Sequence, residues 1–108
     1  MQITASRHSR ALVLALSGRL DALAAESTQQ DILAQLGDES RLVLDMAGVD
    51  YLSSAGIRVL LVAAKTVGRR PGGFFAVARP TATVRRILSD SGLDDCLGLT
   101  DDLASVAD

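Results

Sequence analysis

Apolar and polar positions alternate along the chain in blocks that predict strands and helices in turn. Short apolar runs bounded by polar residues, Gly or Pro favour strands, which we assign to residues 11–17, 42–46, 74–78 and 97–99, with a further short strand around Ile3. Longer segments with helical spacing favour helices, which we assign to residues 24–36, 54–67, 81–90 and 101–107. The predicted order is therefore β-β-α-β-α-β-α-β-α.

Strands that alternate with helices are typical of parallel sheets that carry helices on their faces. We predict an α/β fold with a small, mixed, mostly parallel sheet of about four to five strands and about four helices. The length of 108 residues fits one domain, 1–108, and is too short for two. In such folds, binding sites lie where the carboxyl ends of strands lead into helices.

Composition and charge exclude several classes of function. Residues 51–89 carry seven basic and no acidic side chains, whereas residues 90–108 carry six acidic and no basic ones. A basic block can bind nucleic acid, but the chain has only one Tyr and two Phe, which is too few aromatic residues for a surface on which bases stack. Neither a nucleophile elbow nor a phosphate-binding glycine loop is present. We expect no direct nucleic-acid partner and no enzyme.

The single Cys96 and the single His8 exclude an internal disulfide and a Cys/His zinc site. We expect Cys96 to be a small buried residue near the last strand. The longest apolar runs have six residues, whereas a membrane span needs about 20. No apolar signal core follows the basic residues near the N-terminus. These features predict a cytoplasmic protein without a metal, a cofactor or membrane insertion.

The most informative segment joins the strand that ends near Asp45 to the next helix. Ser53 is a suitable N-cap, because its hydroxyl can accept from an unpaired amide of the first turn. Ser54 is then the first helical residue, where the helix dipole favours an anion such as a phosphate. Gly56 costs about 0.5–1 kcal/mol relative to Ala, so either close packing or an approaching partner must require its missing side chain. Asp45 itself is expected to stabilise the loop.

Helical spacing divides the residues that follow the serine pair into two faces. We assign one stripe to the core, namely Ile57, Leu60, Leu61, Ala64 and Gly68. Val59 and Val62 fall on the opposite side, beside Arg58. These residues could form a small docking patch, although isolated exposed apolar residues are also normal.

Three segments occur in a recognisable order: Gly18-Arg-Leu-Asp21 after a strand, Asp45-Met-Ala-Gly-Val-Asp-Tyr-Leu-Ser-Ser-Ala-Gly-Ile57, and Ser91-Gly-Leu93. In these segments the chain resembles the STAS domains of bacterial anti-sigma factor antagonists. The resemblance implies a partner-switching regulator that binds an anti-sigma factor, itself a serine kinase, and so releases the sigma factor. In that family, phosphorylation of a serine at the start of a helix breaks the complex, and a PP2C-type phosphatase restores it.

The family motif places the phosphoacceptor at Ser54. The residue before the acceptor is commonly Asp in this family and is Ser53 here, which makes Ser53 a rival acceptor. An alternative within the superfamily is a phosphorylation-independent STAS subunit of another assembly, such as a lipid-transport complex or a signalling scaffold. The presence of Ser54 favours the switch, and the missing Asp weakens that preference.

The motif and the helix pattern together predict a partner-binding surface that comprises Asp21, Ser53, Ser54, Gly56, Arg58 and Val62. Asp21 could contact the partner or repel the phosphate, and it could equally cap the helix that it precedes. If Gly56 makes room for a partner, we expect Gly56→Val to impair binding more than thermal stability.

Overall fold

A computed structural model describes residues 1–104 of the chain. Five strands form one sheet in the order β1-β2-β3-β4-β5. The strands are β1 (Gln2–His8), β2 (Ala11–Leu20), β3 (Arg41–Leu52), β4 (Phe74–Ala78) and β5 (Leu99–Thr100). The helices are α1 (Ala22–Leu36), α2 (Ser54–Gly68) and α3 (Ala82–Asp90).

The sheet is mixed, because β1 pairs with β2 in antiparallel fashion and every other pair is parallel. The predicted α/β fold with a small, mostly parallel sheet is therefore confirmed. The described residues contain three helices rather than about four, and the fourth predicted helix, 101–107, lies partly outside the described residues. In the part of the chain that is described, no helix has both the length and the apolar character needed to cross a membrane.

The central strand β3 is longer than the sequence pattern predicted. It continues past Met46 to Leu52, although Gly48 and Asp50 belong to residue types that are rare in strands. The neighbouring strand β2 explains the extension, since it stays paired with β3 through two register shifts up to the Leu20–Leu52 pair. A Cβ atom at Gly48 would lie 2.7 Å from the Cβ atom of Ser17, so the two strands approach too closely there for a side chain.

The core lies on both faces of β2 and β3. Leu14 on β2 and Leu44 on β3 belong to the main cluster, which the helices cover. Their neighbours Val13 and Val43 belong to a smaller cluster on the opposite face, as the alternation of side chains along a strand requires. Burial on both faces explains why β2 and β3 contain continuous apolar runs instead of alternating ones.

The predicted assignment of faces on α2 is wrong in part. Val59 is only 2% exposed, whereas Gly68 is exposed. The reason is that α2 packs against α1 as well as against the sheet, so its buried stripe is shifted toward the neighbouring helix. Val62 remains partly exposed, in agreement with the prediction.

The expectation for Cys96 is also wrong, since this residue is exposed. The next residue, Leu97, is fully buried and fills the apolar position before β5. A cysteine is small and only weakly polar, so it can occupy a buried or an exposed position. The sequence pattern therefore could not show which of Cys96 and Leu97 is buried.

Candidate functional site

The first turns of α1 and α2 lie side by side at one edge of the sheet. Leu20 and Leu52 are paired across the parallel ladder of β2 and β3. The residues that follow them, Asp21 and Ser53, are the N-caps of α1 and α2. The structure therefore brings Asp21 and the serine pair to the same edge, which is where the strand order places binding sites in such folds.

Ser53 caps α2 and ties it to the end of β2. Its hydroxyl oxygen accepts a hydrogen bond from the Gly56 amide at 3.2 Å and donates one to the Leu20 carbonyl at 3.3 Å. The Ser53 amide donates to the same Leu20 carbonyl at 3.0 Å. The hydroxyl thus has both a donor and an acceptor role inside the protein, which gives Ser53 a structural function.

We expect Ser53→Ala to lower the free energy of unfolding by about 1 kcal/mol, because an N-cap hydrogen bond is lost. Ser53→Asp should retain part of the stability, since a carboxylate can accept the same amide hydrogen but cannot donate to the Leu20 carbonyl. Urea unfolding followed by circular dichroism measures both changes. Ser27→Ala on α1 is a suitable control, because the Ser27 hydroxyl is exposed and donates only to the Ala24 carbonyl. Equal stability of Ser53→Ala and the wild type would contradict the capping role.

Ser54 is the first residue of α2 and is exposed. Within residues 1–104, no group forms a hydrogen bond with its hydroxyl. The two adjacent serines therefore differ in their surroundings: the Ser53 hydroxyl points into a network of backbone groups, and the Ser54 hydroxyl is accessible. An accessible hydroxyl at the first position of a helix is suited to accept a negatively charged group.

Gly56 is buried and does not belong to the exposed surface. A Cβ atom at this position would lie 2.4 Å from the Leu20 carbonyl oxygen and 2.8 Å from the Leu52 Cδ1 atom. The missing side chain is thus required by the close approach of α2 to the ends of β2 and β3. This favours close packing over room for a partner. We therefore expect Gly56→Val to impair thermal stability more than partner binding, the opposite of the expectation from the sequence.

Asp21 caps α1, which is one of the two roles predicted for it. Its Oδ1 atom accepts a hydrogen bond from the Ala24 amide at 3.1 Å. Its Oδ2 atom lies 3.9 Å from the Nε atom of Arg19, and the Arg19 guanidinium lies over the Tyr51 ring, 4.4 Å from the ring centroid. The carboxylate remains 31% exposed, so its outer side stays accessible next to the serine pair.

Arg58 and Val62 lie on the exposed side of α2, where the sequence placed them. Arg58 is exposed and follows Ser54 by about one helical turn. Arg58 and Val62 both line a shallow hollow of about 220 Å³ on the outside of α2, together with Leu61 and Lys65. The surface beside Ser54 therefore combines basic and aliphatic groups.

Asp45 lies away from the serine pair, on the face of the sheet opposite the helices. It is nearly buried and forms an ion pair with Arg79, whose Nε atom is 3.2 Å from Asp45 Oδ1. The same oxygen accepts from the Ala47 amide at 3.2 Å. The hydrogen bond and the charge of Asp45 raise the pKa of Arg79. Asp45 thus stabilises the segment that leads to the site, as predicted.

Comparison with known proteins agrees with this architecture. The family model of the STAS domain matches residues 2–106, and the chain belongs to this family. BtrV of Bordetella bronchiseptica, named as an anti-sigma factor antagonist, is 33% identical over 93 residues, which are 85% of this chain and 79% of that protein. The anti-sigma-F factor antagonist RsfB of Mycobacterium tuberculosis is 30% identical over 93 residues, covering 85% of this chain and 75% of that protein.

A solved structure shares the whole fold. The crystal structure of an anti-sigma factor antagonist from Mycobacterium paratuberculosis superposes with a TM-score of 0.85 at 28% identity. The match covers 99% of this chain and 94% of the other. The fold of the present protein therefore matches that of a named anti-sigma factor antagonist over nearly the full extent of both chains.

Proposed function

We propose that this protein is an anti-sigma factor antagonist and that Ser54 is its phosphorylation switch. In the unphosphorylated form it binds an anti-sigma factor that is also a serine kinase, and the sigma factor is released in the cytoplasm. Phosphorylation of Ser54 by that kinase breaks the complex, and a PP2C-type phosphatase restores it. The protein has a regulatory rather than an enzymatic role in this scheme.

The observation that carries the proposal is the difference between the two serines. Ser54 offers an exposed hydroxyl at the start of α2, while the neighbouring Ser53 hydroxyl is held by the Gly56 amide and the Leu20 carbonyl. The relatives named as antagonists add independent support. Ser53 replaces the usual Asp of the family motif and still caps the helix, which supports Ser54 as the acceptor at the first helical position.

Elementary electrostatics explains how one modification can dissociate a complex. A phosphate adds a charge of about −1.5 to −2 at neutral pH. In a docking surface that excludes water, an unpaired charge costs several kcal/mol, and about 1.4 kcal/mol corresponds to a tenfold change in affinity. Arg58 lies one turn after Ser54 and is exposed. A phosphate on Ser54 can therefore pair with Arg58 and remove this cation from contact with the partner.

Reconstitution with purified components tests the proposal. Each serine-kinase anti-sigma factor of the source genome is mixed with the wild-type chain and ADP, and complex formation is measured by calorimetry. With ATP, we expect incorporation of one phosphate, shown by intact mass, followed by loss of the complex. A PP2C-type phosphatase should restore binding. Stable binding that is unchanged after prolonged incubation with ATP would instead favour a phosphorylation-independent STAS subunit, and the absence of any binding kinase would contradict the proposal.

A further inference from the structure

Leu23 is the most exposed large apolar residue in the described part of the chain. It is 95% exposed, compared with 37% for Met1, the next most exposed large apolar residue of residues 1–104. Leu23 is the second residue of α1 and follows the Asp21 cap by two positions. A single exposed apolar side chain is ordinary, so the significance of Leu23 depends on its surroundings.

The surroundings of Leu23 include a groove of about 290 Å³ between α1 and α2. Its walls are formed by Ala22, Ala25, Glu26 and Gln29 of α1 and by Ala55, Arg58 and Val59 of α2. Leu23 is not one of the wall residues, but it directly follows Ala22 and so lies beside the α1 wall in the first turn of the helix. On the opposite wall, Ala55 directly follows Ser54. The proposed phosphorylation site and Leu23 therefore lie beside opposite walls of the same groove.

The two walls of the groove carry opposite charges. Glu26 lies on the α1 wall and Arg58 on the α2 wall. Neither forms an ion pair with another residue of the described range. Beyond Arg58, α2 carries Lys65 and no acidic residue. Separated charges of this kind select the orientation of a partner and favour one that presents a carboxylate over α2.

We propose that the docking surface for the anti-sigma factor extends from Ser54 across this groove and that Leu23 is its apolar anchor. The inference rests on the proposed function and names a contact that neither the motif nor the helix pattern includes. The partner contributes an apolar side chain that packs on Leu23 and a carboxylate that pairs with Arg58. Burial of a leucine side chain that is almost fully exposed in the free protein removes its apolar surface from water, and this favours the complex.

Substitution of Leu23 tests this inference with the kinase that binds the wild-type chain as the probe. We expect Leu23→Gln to raise the Kd for the unphosphorylated protein at least about tenfold, while Leu23→Met remains within about twofold of the wild type. Ala34→Gln is the matched control, because it places the same side chain on the exposed side of α1 three turns away. Calorimetry measures the affinities, and thermal unfolding should show equal midpoints for all variants.

The outcomes separate this inference from the proposed function. If Ser54→Asp abolishes binding but Leu23→Gln leaves the Kd unchanged, the switch stands and the anchor is refuted. If Leu23→Gln and Ala34→Gln weaken binding equally, Leu23 has no specific contact. Sedimentation that shows the wild type as a dimer and Leu23→Gln as a monomer would assign Leu23 to self-association, and this would also overturn the inference. If no serine-kinase anti-sigma factor binds the wild type, both proposals fail.

Discussion

Ser54→Asp should weaken binding to the kinase anti-sigma factor by at least about 100-fold, which corresponds to about 2.7 kcal/mol. The carboxylate introduces a permanent charge into a surface that must lose its water, and it competes with the partner for Arg58, which lies one turn later. Ser54→Ala should bind as tightly as the wild type, because the Ser54 hydroxyl makes no hydrogen bond within residues 1–104. Calorimetry with ADP measures the affinities, and radiolabelled ATP measures phosphate transfer.

The adjacent serine supplies a closely matched control for this result. Ser53→Asp adds the same charge one residue earlier and restores the residue that is common at this place in the family motif. We expect it to keep the N-cap, to bind within a few-fold of the wild type and to accept phosphate on Ser54. Ser54→Ala should incorporate no phosphate. Labelling of Ser54→Ala at the wild-type rate would show that another residue is the acceptor.

Gly56→Val should lower the free energy of unfolding by about 3 kcal/mol, and Gly56→Ala should also be destabilising. In most helices, replacing Gly by Ala stabilises by about 0.5–1 kcal/mol. Here the new Cβ atom would meet the Leu20 carbonyl oxygen at 2.4 Å, and a backbone oxygen at the end of a paired strand cannot move aside cheaply. Urea unfolding of the purified variants measures the effect.

Gly68 at the other end of α2 provides the control for this experiment. A Cβ atom there would meet no atom within 4 Å, so Gly68→Ala should be neutral or stabilising by about 0.5–1 kcal/mol. Opposite signs for the same substitution in one helix would establish that packing against Leu20 decides the identity of residue 56. If Gly56→Ala is as stable as Gly68→Ala, the close approach of α2 to β2 is not present in solution.

Much of the fold could be predicted because it depends on patterns that are local in the sequence. The runs that form β2 and β4, the helical spacing of α2 and the cap at Ser53 all follow from a few neighbouring residues. The orientation of Val59 could not be predicted, because it depends on which side of α2 meets α1. Periodicity shows that a helix has an apolar stripe and does not show how many neighbours the helix packs against.

The roles of site residues that follow from residue type and position in the chain could be predicted. The roles that depend on packing between distant segments could not. The roles of Ser53 and Asp21 as caps follow from their position before helices. The role of Gly56 depends on Leu20, which lies far away in the sequence and reaches Gly56 only through the pairing of β2 with β3. Leu23 belongs to an apolar residue type that a sequence pattern normally assigns to the core, so only its 95% exposure distinguishes it. The assignment of Ser54 as the acceptor stays a prediction.

If Ser54 is the acceptor, as proposed, the anchoring of α2 on the Leu20 carbonyl determines what its kinase has to recognise. The amide and hydroxyl of Ser53 both bond to that oxygen, so the orientation of the next residue is set by tertiary structure rather than by the local chain. A short synthetic peptide with the same sequence would lack the hydrogen bonds to the Leu20 carbonyl and should be a poor substrate. The kinase would then recognise a folded surface rather than a linear sequence motif, and a screen of peptide libraries would not identify Ser54 as its substrate.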